Sequence, residues 1–486
     1  MTSNGSRFFT VFPSIMLPMF LAVVDQTIVA TALPAMAAEL GSVGRISWVV
    51  VAYLVATTVA APVYGQLRDV VGGKRMMFVA LGIFIVASLL CASSTSIEML
   101  TITRILQGLG GGGLMTLSQA LIGEAIPPRE RARYQGYLAA IMVSSSAFGP
   151  VAGGFLTEHF GWRSVFLVNL PLGLLAALLT MRLEARVPRT QTWSFDTLGL
   201  VLFVSCITPA LLALDQAQRM SSETLPEFFA LAAIAAISLF LLIRREKVAP
   251  YPLLPVHLLR NPTIWRSDAL AACHGATLVS LVTFLPIYLH VGQSASSSQT
   301  GLLLLPLMFG IGAGSMLTGR IMSRTGLTMI FPSIGLIFAS CTLLLLALWA
   351  SQLSQTALGW LLFINGLFMG TVMGVVQVTV QSAAGTASLG SAAASVQLSR
   401  SIGAAAGTAL VGAVLFATLA LSDPDAARLF NSLIGRTADI AANMPPARRA
   451  AVHAEIATAF RAAFLTICAF ALIGLALAWS IPKRRL

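Results

Sequence analysis

The chain has 486 residues, 57% of them hydrophobic and only 10% charged, whereas a soluble domain carries about a quarter charged residues. That composition excludes a water-soluble enzyme domain and makes the bilayer the solvent. The formal charge of +12 is scattered between apolar stretches with no basic arm, so it speaks of membrane orientation and not of nucleic acid.

Apolar stretches of about 20 residues, each long enough to cross roughly 30 Å of hydrocarbon as a helix, recur along the whole chain. In order they predict fourteen spans, at 9–36, 46–66, 76–96, 99–124, 137–157, 163–183, 196–216, 226–243, 265–290, 300–321, 328–350, 355–381, 392–420 and 461–481. The expected class is an all-α membrane protein. A closed barrel needs segments of about ten residues that alternate in polarity, and runs such as Leu336–Ala350 do not alternate. The first stretch carries Asp25 and has no small-residue cleavage site, so it reads as a retained span. Cys91, Cys206, Cys273, Cys341 and Cys468 fall in five different apolar segments without metal-ligand or disulfide spacing. They read as small core residues, and neither a metal nor another cofactor is expected.

Lysine and arginine orient the chain. With the N-terminus inside, 21 of the 30 basic residues fall on the inner side, while the short outer loops hold only Arg45, Arg163 and Arg219. This bias predicts a multi-pass protein of a bacterial inner membrane with both termini cytoplasmic. The segment 421–460 is long enough to weigh less, and Pro445-Pro446 followed by Ala-rich sequence predicts a helical excursion on the outer face.

An internal repeat sets the organisation. Gly65-Gln66-Leu67-Arg68-Asp69 with Gly72 and Lys74-Arg75 follows the second span, and Gly319-Arg320-Ile321-Met322-Ser323-Arg324 with Gly326 follows the tenth. Both place glycines seven residues apart in a basic inner turn. Two parallel six-span halves flanking two extra spans would give this pattern. The expected division is an N-terminal bundle over 1–190, two linking spans and an inner loop over 191–260, and a C-terminal bundle over 261–486.

Several motifs together resemble the major facilitator superfamily, specifically its fourteen-span drug:proton antiporter branch. They are Asp25-Gln26-Thr27-Ile28-Val29 through Ala32-Leu33-Pro34, the Gly65–Arg75 turn, Arg104-x2-Gln107-Gly108-x-Gly110, Gly149-Pro150-x2-Gly153-Gly154, and Phe166-x2-Asn169-x-Pro171-x-Gly173. The resemblance implies a two-bundle facilitator fold with two extra central helices. It also implies alternating access, export of amphipathic or aromatic compounds in exchange for protons, a conformational role for the Asp69 turn, and an antiport role for the Gly149-Pro150 stretch.

The residues carry their own argument. An ionised carboxylate in hydrocarbon must face a polar cavity, pair with a cation or be protonated. At 1.5 Å per residue, Asp25 lies roughly 12 Å below the outer end of its span and Arg104 roughly 8 Å deep in span 4. An exchangeable Asp25–Arg104 pair is therefore expected, with protonation sensitive to which side is open; the alternative is a fixed ion pair that only joins two spans. In span 5, Pro150 removes a backbone donor, while Gly149, Gly153 and Gly154 permit close helix approach, although small residues with a proline are common in membrane helices. Asp69, set among Gly65, Gly72 and Arg75, is expected to lock the inner side against Arg131 or Arg133, the plain alternative being a solvated turn.

Between Asp268 and Asp423 there is no Asp or Glu, so spans 10–13 offer no carboxylate for a multivalent cation and the second bundle none to share the work of Asp25. Polar candidates for a central, mostly apolar pocket are Gln107, His274, Tyr288, Asn365, Gln377, Gln381, Gln397 and Arg400, mixed with aromatic and Met residues such as Phe368 and Met369. His274 is a candidate proton relay or a plain interhelical hydrogen-bonding residue. Partners are expected to be a small-molecule substrate, protons and the lipid bilayer, with room for a periplasmic adaptor and a monomer as the working unit. Two other readings stand beside export: uptake of a flat metabolite or vitamin such as riboflavin on the same scaffold, and a membrane receptor or scaffold without transport. An enzyme is disfavoured, because no nucleotide loop, metal cluster or nucleophile–base set is visible.

Overall fold

The computed structural model describes residues 3–41, 46–183, 195–217, 225–253, 256–292, 297–350, 352–422, 446–482 and 484–485. The helices in chain order are α1 (Ser3–Leu40), α2 (Ser47–Val71), α3 (Gly73–Ala92), α4 (Ile97–Ala125), α5 (Pro128–Phe160), the short α6 (Ser164–Leu167), α7 (Asn169–Met181), α8 (Thr197–Ala217), α9 (Leu225–Val248), the short α10 (Val256–Leu259), α11 (Pro262–Ile287), α12 (Ser297–Thr325), α13 (Ile330–Trp349), α14 (Gln355–Ala384), α15 (Leu389–Ser422) and α16 (Pro446–Ser480). Helix is what an apolar solvent demands, because it satisfies every backbone polar group within one segment. Among the described residues, twelve helices are long and apolar enough to cross a membrane. α4 and α8 stand at the two remaining predicted positions. α4 carries Glu98, Arg104, Gln107 and a run of glycines, which lowers its apolarity, and the apolar part of α8 is the shorter Thr197–Ala213.

Two details differ from the sequence expectation. The span expected at 163–183 is interrupted at Val168, and the chain restarts its helix at Asn169. Pro171 explains the restart, since a residue without an N–H fits the first turn of a helix and not its interior. From Pro446 onward, the sequence expected as an outer excursion is the first part of the last long helix; Pro445 and the preceding loop lie outside the described residues.

Helices α1–α7 form one bundle, with Met77, Ala80, Phe84, Leu114 and Leu117 in its core. α11–α16 form the other, around Leu281, Leu285, Leu343, Leu362, Phe460 and Phe464. The extra pair α8–α9 sits beside the seam, where Phe203, Ile207 and Leu242 pack with Val59 of α2 and Leu398 of α15. Within α9 the buried residues are Ser238, Leu242 and Glu246, while Ile237, Leu239, Phe240 and Leu241 are exposed. A four-residue spacing places one narrow stripe against the protein and leaves the rest to lipid.

The sequence repeat is also a structural repeat. Gly72 and Gly326 end α2 and α12 with φ of 101° and 69°, a region open to glycine and disfavoured for residues with a Cβ. About two turns earlier in each helix a glycine meets the opposite bundle. A Cβ at Gly65 would lie 2.7 Å from the Gly390 carbonyl oxygen and from Ala394 Cβ of α15, and one at Gly319 would strike Ala132 and Arg133 of α5. The two bundles therefore touch through a matched pair of contacts, α2 on α15 and α12 on α5. Both contacts lie at the end of the molecule that carries the basic turns.

Candidate functional site

Asp25 has no exposure and Arg104 is 1% exposed. Their helices bring Arg104 Nη1 to 2.5 Å from Asp25 Oδ2. The carboxylate does not depend on that cation alone: Oδ1 accepts from Gln107 Nε2 at 2.8 Å and from Asn169 Nδ2 at 2.9 Å. Ser88 Oγ accepts from Gln107 Nε2 at 2.8 Å and ties α3 to the cluster. The same Nη1 also donates to Gln107 Oε1 at 2.7 Å, Nε donates to the Val49 carbonyl at 3.3 Å, and the guanidinium lies 4.1 Å above the centre of the Tyr53 ring. The carboxylate is thus held by donors from α4 and α7, and the arginine by acceptors and a ring face on α4 and α2. A planar guanidinium suits this double duty because its donors fork while its face stacks.

The structure relocates several predicted residues. Gln107 is a direct ligand of Asp25 and not a pocket residue, since its position three residues after Arg104 puts both on one helix face. Asp69 does not pair with Arg131. It accepts from the Gly390 and Ser391 amides and from Ser391 Oγ, each at 3.0 Å, and from Arg68 Nη1 at 2.7 Å. Arg131 is buried and its Nε donates to the Ile126 carbonyl at 2.7 Å, closing the α4–α5 turn. Arg133 donates to Tyr137, and Arg75 is exposed. The start of α15 is therefore the mate of Asp69, because a helix N-terminus presents free N–H groups to an anion. Arg68 also bonds Glu124, fastening α2 to the end of α4.

In α5, Gly149 and Gly153 lie against Thr27, Ile28 and Thr31 of α1, so close that a Cβ at either would collide. Gly154 faces open space and Pro150 is exposed; of the three glycines, two make the close approach.

The pocket candidates do not line one chamber. Tyr288 packs on Phe460 and Phe464 at ring distances of 5.3 and 5.5 Å, near the end of α13 far from the basic turns. Gln381 lies at the basic end and donates to the Gln119 carbonyl at 3.0 Å across the seam. Asn365 donates to Thr342 Oγ1 at 2.8 Å and to the Ala339 carbonyl at 3.2 Å, joining α14 to α13. His274 is buried with Nε2 at 3.2 Å from the Met369 carbonyl and Nδ1 without a partner. Gln377 is buried with its amide nitrogen unpartnered, while Gln397 and Arg400 are half-buried. Residues not foreseen as site members are Ser88, Tyr53 and Asn169 around Asp25, Ser391 opposite Asp69, and Asp268. The last corrects the expectation of an acid-free second bundle: it lies two turns into α11 and is 4% exposed.

Comparison with known proteins agrees with this architecture. The Major Facilitator Superfamily profile matches residues 15–408. An uncharacterized MFS-type transporter of Mycobacterium tuberculosis is 32% identical over 407 residues, covering 83% of this chain and 59% of that protein. The chain thus spans about three fifths of that relative's length. The multidrug transporter protein MdtP of Bacillus subtilis is 30% identical over 402 residues, covering 82% of this chain and 74% of MdtP. Among solved structures, the human organic anion transporter MFSD10 superposes with a TM-score of 0.66 at 15% identity, covering 98% of this chain and all of that one. The proton:xylose symporter XylE superposes at 0.64 and 13% identity, covering 99% of this chain and 97% of that one, which speaks to the fold alone. Two bundles joined by matched glycine contacts, with a profile match over most of the chain, place the protein in the Major Facilitator Superfamily.

Proposed function

We propose that the protein is a proton-coupled secondary transporter of the fourteen-span drug antiporter branch, exporting amphipathic or aromatic compounds in exchange for protons. The observation that carries this reading is the Asp25 cluster: a membrane-buried carboxylate with one cation, and that cation already provided with other partners. When Asp25 takes a proton, Arg104 keeps Gln107 Oε1, the Val49 carbonyl and the Tyr53 ring, so both states of the acid leave the arginine satisfied. The extra pair α8–α9 beside the seam supports the branch, and in this reading the bundle limits lie near 190 and 260. Relatives named for multidrug transport or resistance, MdtP and Multidrug resistance protein 3 of Bacillus subtilis, support the cargo class and a bacterial plasma membrane.

The orientation follows from charge. Arg68, Lys74, Arg75, Arg129, Arg131, Arg133, Arg320 and Arg324 gather at the end where the bundles meet, and a basic end is a cytoplasmic one. The molecule is then closed toward the cytoplasm by Asp69 and the paired glycines, as an outward-facing state requires.

The test uses proteoliposomes with an imposed pH gradient and a panel of dyes, biocides and vitamins. Substrate-driven proton movement is expected in the wild type and lost in Asp25→Asn. Proton movement of wild-type size in Asp25→Asn would overturn the coupling role, and accumulation of a vitamin in the cytoplasmic direction would overturn export.

A further inference from the structure

The second buried carboxylate has surroundings unlike the first. Asp268 is 4% exposed; its Oδ1 is 3.4 Å from Ser395 Oγ, and its Oδ2 has no hydrogen-bond partner. No ion pair reaches it among the described residues. It opens on a cavity of about 80 Å³ at the seam, walled by Pro62 of α2, Leu253 and Leu258 of the linking segment, and Ser391, Ser395 and Leu398 of α15. One water fills about 10–15 Å³ on this measure, so the space holds several water-sized groups or one compact organic head.

We infer that Asp268 is a docking site for a monovalent organic cation, an ammonium head with a hydrocarbon body. Three features select that chemistry. An oxygen removed from water without a donor requires either a proton or a cation. A divalent metal fits poorly, because the single carboxylate would leave half of its charge uncompensated and this wall adds only serine hydroxyls amid leucines and a proline. An ammonium group asks for a single charge contact, while its carbon chain is served by Leu253, Leu258 and Leu398. The site also reaches the bundle clasp, because Ser391 both lines the cavity and bonds Asp69. On the export reading, this places cationic cargo at the cytoplasmic seam, apart from the proton site at Asp25; the inference rests on that reading only for the direction of travel.

Equilibrium binding separates the two. Full-length protein in nanodiscs is titrated with phenyltrimethylammonium and with tert-butylbenzene, its neutral isostere, by saturation-transfer NMR, with empty nanodiscs subtracted. The wild type is expected to favour the cation by about tenfold or more. Asp268→Asn and Asp268→Ala should abolish the preference, Asp268→Glu should retain it in part, and Asp25→Asn should leave it intact. A preference that persists in Asp268→Asn, or that disappears only in Asp25→Asn, would overturn the assignment. Melting curves of each variant show that lost binding is not lost fold, and because no transport is measured, absence of proton antiport would sink the export reading while leaving this result readable.

Discussion

Asp25 and Arg104 illustrate how a charge survives in hydrocarbon. Removing one partner of a buried pair costs about 3–5 kcal/mol, since the other is left without compensation. Arg104→Gln should therefore lower the melting temperature of the purified protein sharply, while Asp25→Asn combined with Arg104→Gln should recover much of the loss. The double-mutant cycle measures this coupling; additive losses would mean that the pair does not carry the energy assigned to it. The pair was legible in the sequence because two charges inside apolar spans at similar depth have few other ways to be stable. Gln107 was legible in principle, being on the same helix face as Arg104. Asn169 was not, because its contact depends on how α7 restarts beside α1. Asp268 was hidden for a different reason: near the start of a span it reads as a boundary residue until α15 and the linking segment cover it.

Helix pairing within the first bundle depends on side-chain size at two positions. Gly149 and Gly153 are four residues apart and share the face turned to α1; Gly154, about 100° further round the helix, does not. Added methyl groups in a filled interface typically cost about 1–3 kcal/mol, whereas changes away from packed features stay within about 0.5 kcal/mol. Gly153→Ala should accordingly depress the melting temperature and Gly154→Ala should not, which scanning fluorimetry of the two variants checks. Equal effects would mean that α5 does not meet α1 through this face. A motif of three glycines records that close approach occurs, and helical periodicity indicates which residues take part.

For the molecule as a whole, the decisive contact is Asp69 against the start of α15. Hydrogen bonds to a charged group contribute about 1.5–3 kcal/mol each, so Asp69→Ala should shift the balance between closed and open cytoplasmic ends by about tenfold or more. Spin labels at Arg75→Cys and Arg324→Cys, both exposed on the basic end, in a background without the five native cysteines, would report a new population at longer distance. An unchanged distance distribution would remove Asp69 from the clasp. By itself the sequence determined the all-helical membrane class, the basic end, the repeat and the buried Asp–Arg pair, because hydropathy, charge and spacing act locally or through depth in the membrane. Only the tertiary structure decided the partner of Asp69, the dispersal of the pocket candidates and the isolation of Asp268. These depend on which helices meet across the seam, and residues more than a hundred positions apart in sequence leave no local pattern that records their contact.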